Sequence, residues 1–216
     1  MTTLLSKEIK LSIHPFFFFM PVLFGALFLI PHWPFFIALM YFFFISVPNI
    51  YGTYNSQNDN GFSLMMPVKK SEIVKAKMLS FITLEMIHMA AGAVFAVIRV
   101  SLYETPNFLL DPNLAFFGVA FIMFALFNSI FFPLYFRTAY NYGIPTIAAT
   151  VVSMLFAAGI ELLVVFNTTF AYYLEGKNSE TRILQLVILL AGILLFTAIN
   201  FITYRRSALL IEKIDL

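Results

Sequence analysis

Four ionisable side chains lie within long apolar runs: Glu85, His88, Arg99 and Glu161. Charged groups at membrane depth are costly, and they are kept where they are paired or where they line a pathway. Glu85 and His88 stand three residues apart, so a helix carries both on one face. A carboxylate and an imidazole placed in this way could relay a proton or supply half of a metal site. A metal site needs three or four ligands, and no further His, Asp or Glu is spaced to join them on the same helix. A hydrogen-bonded pair stabilising a helix bundle is the plainer chemistry. Arg99 and Glu161 come late in two runs that both point outward. They are expected to pair with each other, or Glu161 lines the exit of a pathway. The chain has no cysteine, which removes disulfides, thiolate ligands and cysteine nucleophiles. An intramembrane enzyme would need several chemical roles in mutual geometry. No such set assembles, so no catalytic, cofactor-binding or metal residue is assigned on this chain.

The elements that hold these groups follow from composition. Only 11% of the 216 residues are charged and 61% are hydrophobic, against about 25% charged in soluble domains. This is the composition of a membrane protein. The net charge of +2 gives no case for nucleic acid. A span needs about 20 mainly apolar residues. Six segments qualify, at about 14–30, 33–51, 78–100, 114–136, 143–166 and 183–204, so the fold class is all-α, a polytopic bundle in one transmembrane domain over 1–216. The first run carries no small-x-small cleavage signal, reading Pro31-His32-Trp33-Pro34 instead, and is expected to remain as an uncleaved span. Pro21 should kink it.

With the N-terminus in the cytoplasm, ten of the 13 Lys and Arg residues fall on that side: Lys7, Lys10, Lys69, Lys70, Lys75, Lys77, Arg137, Arg205, Arg206 and Lys213. Arg99, Lys177 and Arg182 are left at or near the outer side, which also holds Glu104, Asp111, Glu175 and Glu180. The bias sets the orientation, and an even number of spans returns the C-terminus to the cytoplasm. Leu5, Ile9 and Ile13 recur every four residues ahead of the first span, so a short interfacial helix is expected there, with the polar lead-in of a first span as the alternative. Asn128 and Asn200 are expected to form interhelical hydrogen bonds.

The polar stretch 52–77 lies between the second and third spans and is read as a cytoplasmic docking loop. Asp59 and Asn60 are expected to cap a short helix, and Ser71 a second one with Glu72 in its first turn. Phe62, Met65 and Met66 then form an apolar knob, and Pro67 ends the first helix. The second helix is expected to run straight into the third span, with Lys75 and Lys77 snorkelling to lipid headgroups. Anionic lipid explains the lysines, including Lys69 and Lys70. It does not explain the apolar knob, because an exposed apolar patch marks a contact.

The phrase Ser63-Leu64-Met65-Met66-Pro67-Val68-Lys69-Lys70-Ser71-Glu72-Ile73-Val74, followed by Lys77, resembles the loop between the second and third spans of type-2 ABC exporter permeases. It is similar to that of the small permeases of bacterial peptide exporters, such as those for phenol-soluble modulins. Met66 stands where leucine is usual, and Lys69 where serine is common. The six-span layout and the size extend the resemblance over nearly the whole chain. It implies a permease subunit of the cell membrane without its own ATPase, paired with a second permease subunit as a homo- or heterodimer. Two cytoplasmic ABC ATPase subunits holding ATP and Mg would dock on this loop, through Asp59, Asn60, Phe62, Met65, Met66, Pro67, Lys69, Lys70, Ser71 and Glu72, to export a hydrophobic or amphipathic substrate such as a peptide or antibiotic. No Gly-x-x-x-x-Gly-Lys-Ser/Thr phosphate loop occurs in the chain, so any ATP that drives it is bound by another polypeptide. The alternative is a non-transporting six-span immunity or sensor protein whose loop binds a different soluble partner.

Overall fold

The computed structural model describes residues 2–103 and 109–213, without the side chains of residues 2, 3, 11, 12 and 64; Glu104 in the outer loop and the Leu64 side chain therefore lie outside the described residues. Regular structure among them is entirely helical. Helix α1 (Thr2–Lys7) continues through a π-helical turn at Glu8–Ser12, and α2 (Phe16–Ala26) through a 3-10 turn at Leu27–Leu29. Helices α3 (Phe35–Tyr41) and α4 (Val47–Ser56) are joined by a π-helical turn at Phe42–Ser46 into one rod. Then come α5 (Asp59–Met65), α6 (Lys70–Leu102), α7 (Leu114–Arg137), α8 (Gly143–Phe166), α9 (Thr168–Glu175) and α10 (Ser179–Glu212).

Among the described residues five helices are long and apolar enough to cross a membrane: Phe35–Ser56, α6, α7, α8 and α10. The first expected span, 14–30, is a shorter apolar helix, Phe16–Leu29, which at about 1.5 Å per residue is shorter than the roughly 30 Å hydrocarbon core. Helix α6 runs without a break from the loop into the bilayer segment, 33 residues in all. The N-terminal helix presents a different stripe from the expected one. Leu4, Glu8 and Ile13 are buried, whereas Leu5 and Ile9 are only partly covered. It packs against α6 through both its α-helical and its π-helical part.

The phenylalanines explain the core. Phe116, Ala120, Phe124, Phe127, Phe131 and Tyr135 fall at successive steps of three or four residues on α7, and all are fully buried. Phe43, delivered by the π-helical turn, stacks flat on Phe127 with centroids 4.0 Å apart. Phe131 stacks on Phe127 and Tyr135 in turn. Aromatic pairs of this kind add to simple burial, and the extra residue of the π turn re-aims the second helix to meet them.

On its other side α7 packs along α10 with almost no gap. A methyl group added at Gly192 would lie 2.2 Å from the Gly118 carbonyl oxygen, and one added at Gly118 would lie 2.5 Å from the Ile188 oxygen. Small residues permit such backbone approach, which lets dispersion hold helices together in lipid. Gly192→Val is therefore expected to destabilise the bundle by about 1–3 kcal/mol, read as a lower melting temperature in detergent. Gly159→Ala, where an added methyl meets nothing within 4 Å, should leave it unchanged or raise it slightly.

Candidate functional site

Helix α5 is the polar crossing between two apolar rods. It starts after Asn58, which holds a left-handed backbone (φ 52°), a conformation asparagine tolerates better than most residues. The expected caps are not used. Asp59 is the first helical residue rather than the cap, and its carboxylate is committed elsewhere. Ser71 is likewise inside α6, whose cap position is Lys69, and no side chain caps that end. Glu72 does lie in the first turn of α6. Met66 is extended (ψ 146°) ahead of Pro67, as the proline ring requires. Phe62 and Met65 are 60% and 85% exposed. Pro67 and Lys69 are also exposed, while Met66, Lys70, Ser71 and Glu72 are half-buried.

Asp59 and Asn60 turn inward. The Asp59 carboxylate accepts a hydrogen bond from Lys77 Nζ at 2.8 Å and another from Lys7 Nζ. Lys7 also donates to Glu8 Oε1 at 3.1 Å and to Ser63 Oγ at 3.0 Å. Lys77 lies 3.6 Å from Glu8 Oε1 and 3.7 Å above the Tyr54 ring. Two cations and two anions thus neutralise one another where α1, α4, α5 and α6 meet. The Lys77 and Glu8 side chains are 0% and 1% exposed, so Lys77 does not snorkel to headgroups. It has internal partners in Asp59, Glu8 and Tyr54, and moving it out would leave Asp59 with Lys7 alone. Lys75, two residues earlier, is only half-buried.

Asn60 is the second anchor. Its amide nitrogen donates to Tyr135 OH at 3.1 Å and to Asn55 Oδ1 at 3.2 Å. Tyr135 ends the aromatic ladder, so α5 is tied to α7 as well as to α6. Lys7, Glu8, Tyr54, Ser63 and Tyr135 were not read as site residues. A signal for Glu8 was present: it falls four residues after Leu4 on the same helical face, and an acid on an apolar stripe needs a cation.

The four intramembrane groups are arranged differently from expectation. Glu85 Oε2 accepts from Asn128 Nδ2 at 2.9 Å, and that amide also donates to Asn200 Oδ1 at 3.0 Å. This joins α6, α7 and α10 by interhelical hydrogen bonds, with Asn128 as the hub. His88 does not pair with Glu85. Its ring packs against Phe24, Phe42 and Phe124. The backbone of Ala38 and Leu39 lies nearby, but neither ring nitrogen makes a hydrogen bond of ordinary geometry. Arg99 and Glu161 form no ion pair among the described residues. The Arg99 guanidinium donates to the carbonyls of Phe28 and Ile30 at 3.3 and 3.4 Å and sits 4.8 Å over the Phe35 ring. It thereby satisfies the orphan carbonyls at the end of the α2 rod. Glu161 Oε2 accepts from the Leu110 amide at 3.0 Å. Beside it, Glu175 Oε1 accepts from the Asp111 amide at 3.4 Å, and burial raises the Glu175 carboxyl above its ordinary range. Among the described residues no three His, Cys, Asp or Glu side chains gather to hold a metal ion.

Burial alone would raise the Asp59 carboxyl. The charge of Lys77 and the hydrogen bonds from Lys7 and Lys77 outweigh it and hold the group below 3.8. A depressed carboxylate contributes stability that is fully present above its unfolded value and lost as pH falls through the folded one. Melting in detergent is therefore expected to fall steeply below about pH 4, and Asp59→Asn should remove that acid step. At neutral pH Asp59→Asn should cost about 3 kcal/mol, because it leaves Lys77 short of its closest anion. Adding Lys77→Met should recover part of that loss.

A search among curated proteins and solved structures finds no match to this chain. The family model described as ABC-2 family transporter protein matches residues 3–206, which takes in the α5 anchors, the Glu85–Asn128–Asn200 chain, four of the five long apolar helices in full and α10 as far as Arg206. This multi-pass membrane protein belongs to the ABC-2 family of transporter proteins.

Proposed function

We propose that the chain is the permease subunit of an ABC exporter and that α5 is its docking helix for a cytoplasmic ATPase subunit. One observation carries this reading. An exposed apolar tip, Phe62 and Met65, stands on a helix whose other side is locked by Asp59 and Asn60. An apolar surface held this firmly at the polar end of a membrane bundle is a contact waiting for a partner, and methionine adapts to what it meets. ATP and Mg are held by the partner. A push on α5 reaches α6 through Asp59 and Lys77 at its root, and α6 carries it across the bilayer.

In this reading the chain is one transmembrane domain. Phe16–Leu29 counts as a short first span, giving six with both termini cytoplasmic, and the N-terminal helix lies at the inner interface. The subunit works in a bacterial plasma membrane, paired with itself or with a sibling permease. It exports a hydrophobic or amphipathic substrate of the peptide or antibiotic class. The family membership and the positive-inside bias support this arrangement.

The test is co-purification with the cognate phosphate-loop ATPase. Phe62→Asp with Met65→Asp is expected to weaken that association about 30-fold or more, the scale of a lost interface anchor, while the permease still inserts and melts as before. Undiminished ATPase binding in a well-folded double variant would remove α5 from the docking role.

A further inference from the structure

The inner ends of α7 and α10 enclose a cavity of about 610 Å³ that none of the preceding roles uses. Arg137, Arg206, Leu210 and Lys213 line its mouth, and Ile130, Pro133 and Leu134 form its deeper wall. The place in the fold is fixed by Tyr135, two residues before Arg137, which bonds to Asn60 of α5; the cavity therefore opens at the same end of the bundle as the docking helix. All three cations are exposed, and among the described residues no carboxylate lines the cavity. The neighbouring Arg205 does not contribute, since its guanidinium lies 4.6 Å over the Phe201 ring.

Three cations facing one recess repel one another, and that repulsion is relieved by an anion. The cationic rim and the apolar wall are stacked along the helix axis, with Ile130, Pro133 and Leu134 deeper in α7 than Arg137, while Leu210 of α10 lies between Arg206 and Lys213 in the rim. This is the polarity of an amphiphile, a negative head above an acyl chain. A soluble phosphate would leave the wall unoccupied, and a neutral lipid would leave the cations unmatched. Arginine also binds phosphate oxygens in a forked, directional way that a diffuse cation atmosphere does not require. Basic recesses between spans on the cytoplasmic side fit anionic lipid headgroups for these reasons.

We propose that this cavity is a binding site for an anionic phospholipid of the inner leaflet, with its phosphate held by Arg137, Arg206 and Lys213 and one acyl chain laid against Ile130, Pro133 and Leu134. The site clamps the ends of α7 and α10 from the membrane side. It is independent of the α5 docking surface, so the two proposals stand or fall separately.

The experiment uses the full chain in nanodiscs of phosphatidylcholine with and without phosphatidylglycerol. Native mass spectrometry reads lipid retention, and thermal melting reads the stability gained. Wild type is expected to retain phosphatidylglycerol and to melt higher when it is present. Arg137→Gln with Arg206→Gln and Lys213→Gln should weaken retention about a hundredfold, whereas Arg205→Gln should leave it unchanged. Should the triple variant fold poorly in phosphatidylcholine alone, Arg206→Gln is the single substitution to read, with an expected weakening of about fivefold. Equal retention by wild type and the charge-removed variants overturns the proposal. So does an equal rise in melting temperature with glycerol 3-phosphate, which would make the site one for soluble phosphate.

Discussion

A lysine ammonium sealed from water governs the lower half of this molecule. An unpaired buried charge costs several kcal/mol, so Lys77 can be fully covered only while Asp59 and Glu8 stay within reach. Those two carboxylates belong to different segments, and each also meets Lys7. The seat of α1, the placement of α5 and the root of α6 are therefore a single electrostatic arrangement. Helix α5 has only seven residues, too few to be stable by itself. It is helical because its first two side chains are fixed by the bundle.

The apolar interior works on a different principle. Lipid is as apolar as the side chains, so burial from water does not drive helix pairing within the bilayer. Shape and local polarity have to do it. The flat stacking of Phe43 on Phe127, the backbone contact at Gly118 and Gly192 and the amide hub at Asn128 are three solutions to this one problem. Each is specific in geometry, and together they define how α7 faces its neighbours.

Much of the element map was legible because a bilayer imposes length and composition directly. The runs 114–136 and 143–166 appear as Leu114–Arg137 and Gly143–Phe166, and the break at Pro67 is local backbone chemistry. Side-chain partners were less legible. Lys7 meets Asp59 across 52 positions, and no spacing rule reaches that far. Depth alone suggests Glu161 as a partner for Arg99, yet the guanidinium binds backbone carbonyls, which any sequence provides. Asp59 and Asn60 were read as caps because capping is their commonest local use, and a tertiary lysine and tyrosine won the competition. The exposed Phe62 and Met65 of α5 are legible as apolar residues in a polar loop, whereas Met66, expected in the same knob, is half-buried and extended beyond the helix end. The buried face of α5 was not legible.

The α2 rod carries a consequence for the surrounding lipid. It packs along α6, and its outward side bears Phe19, Val22 and Leu23. Phe16–Leu29 is about 21 Å long at 1.5 Å per residue, some 9 Å less than a typical hydrocarbon core. The Arg99 guanidinium beneath its last carbonyls puts a charge at the level where acyl chains would otherwise continue. Bilayers meet such a shortfall by compressing. In a bilayer α2 is therefore the short edge of the bundle and α8 and α10 its long edges, so the demand on lipid length differs around its circumference.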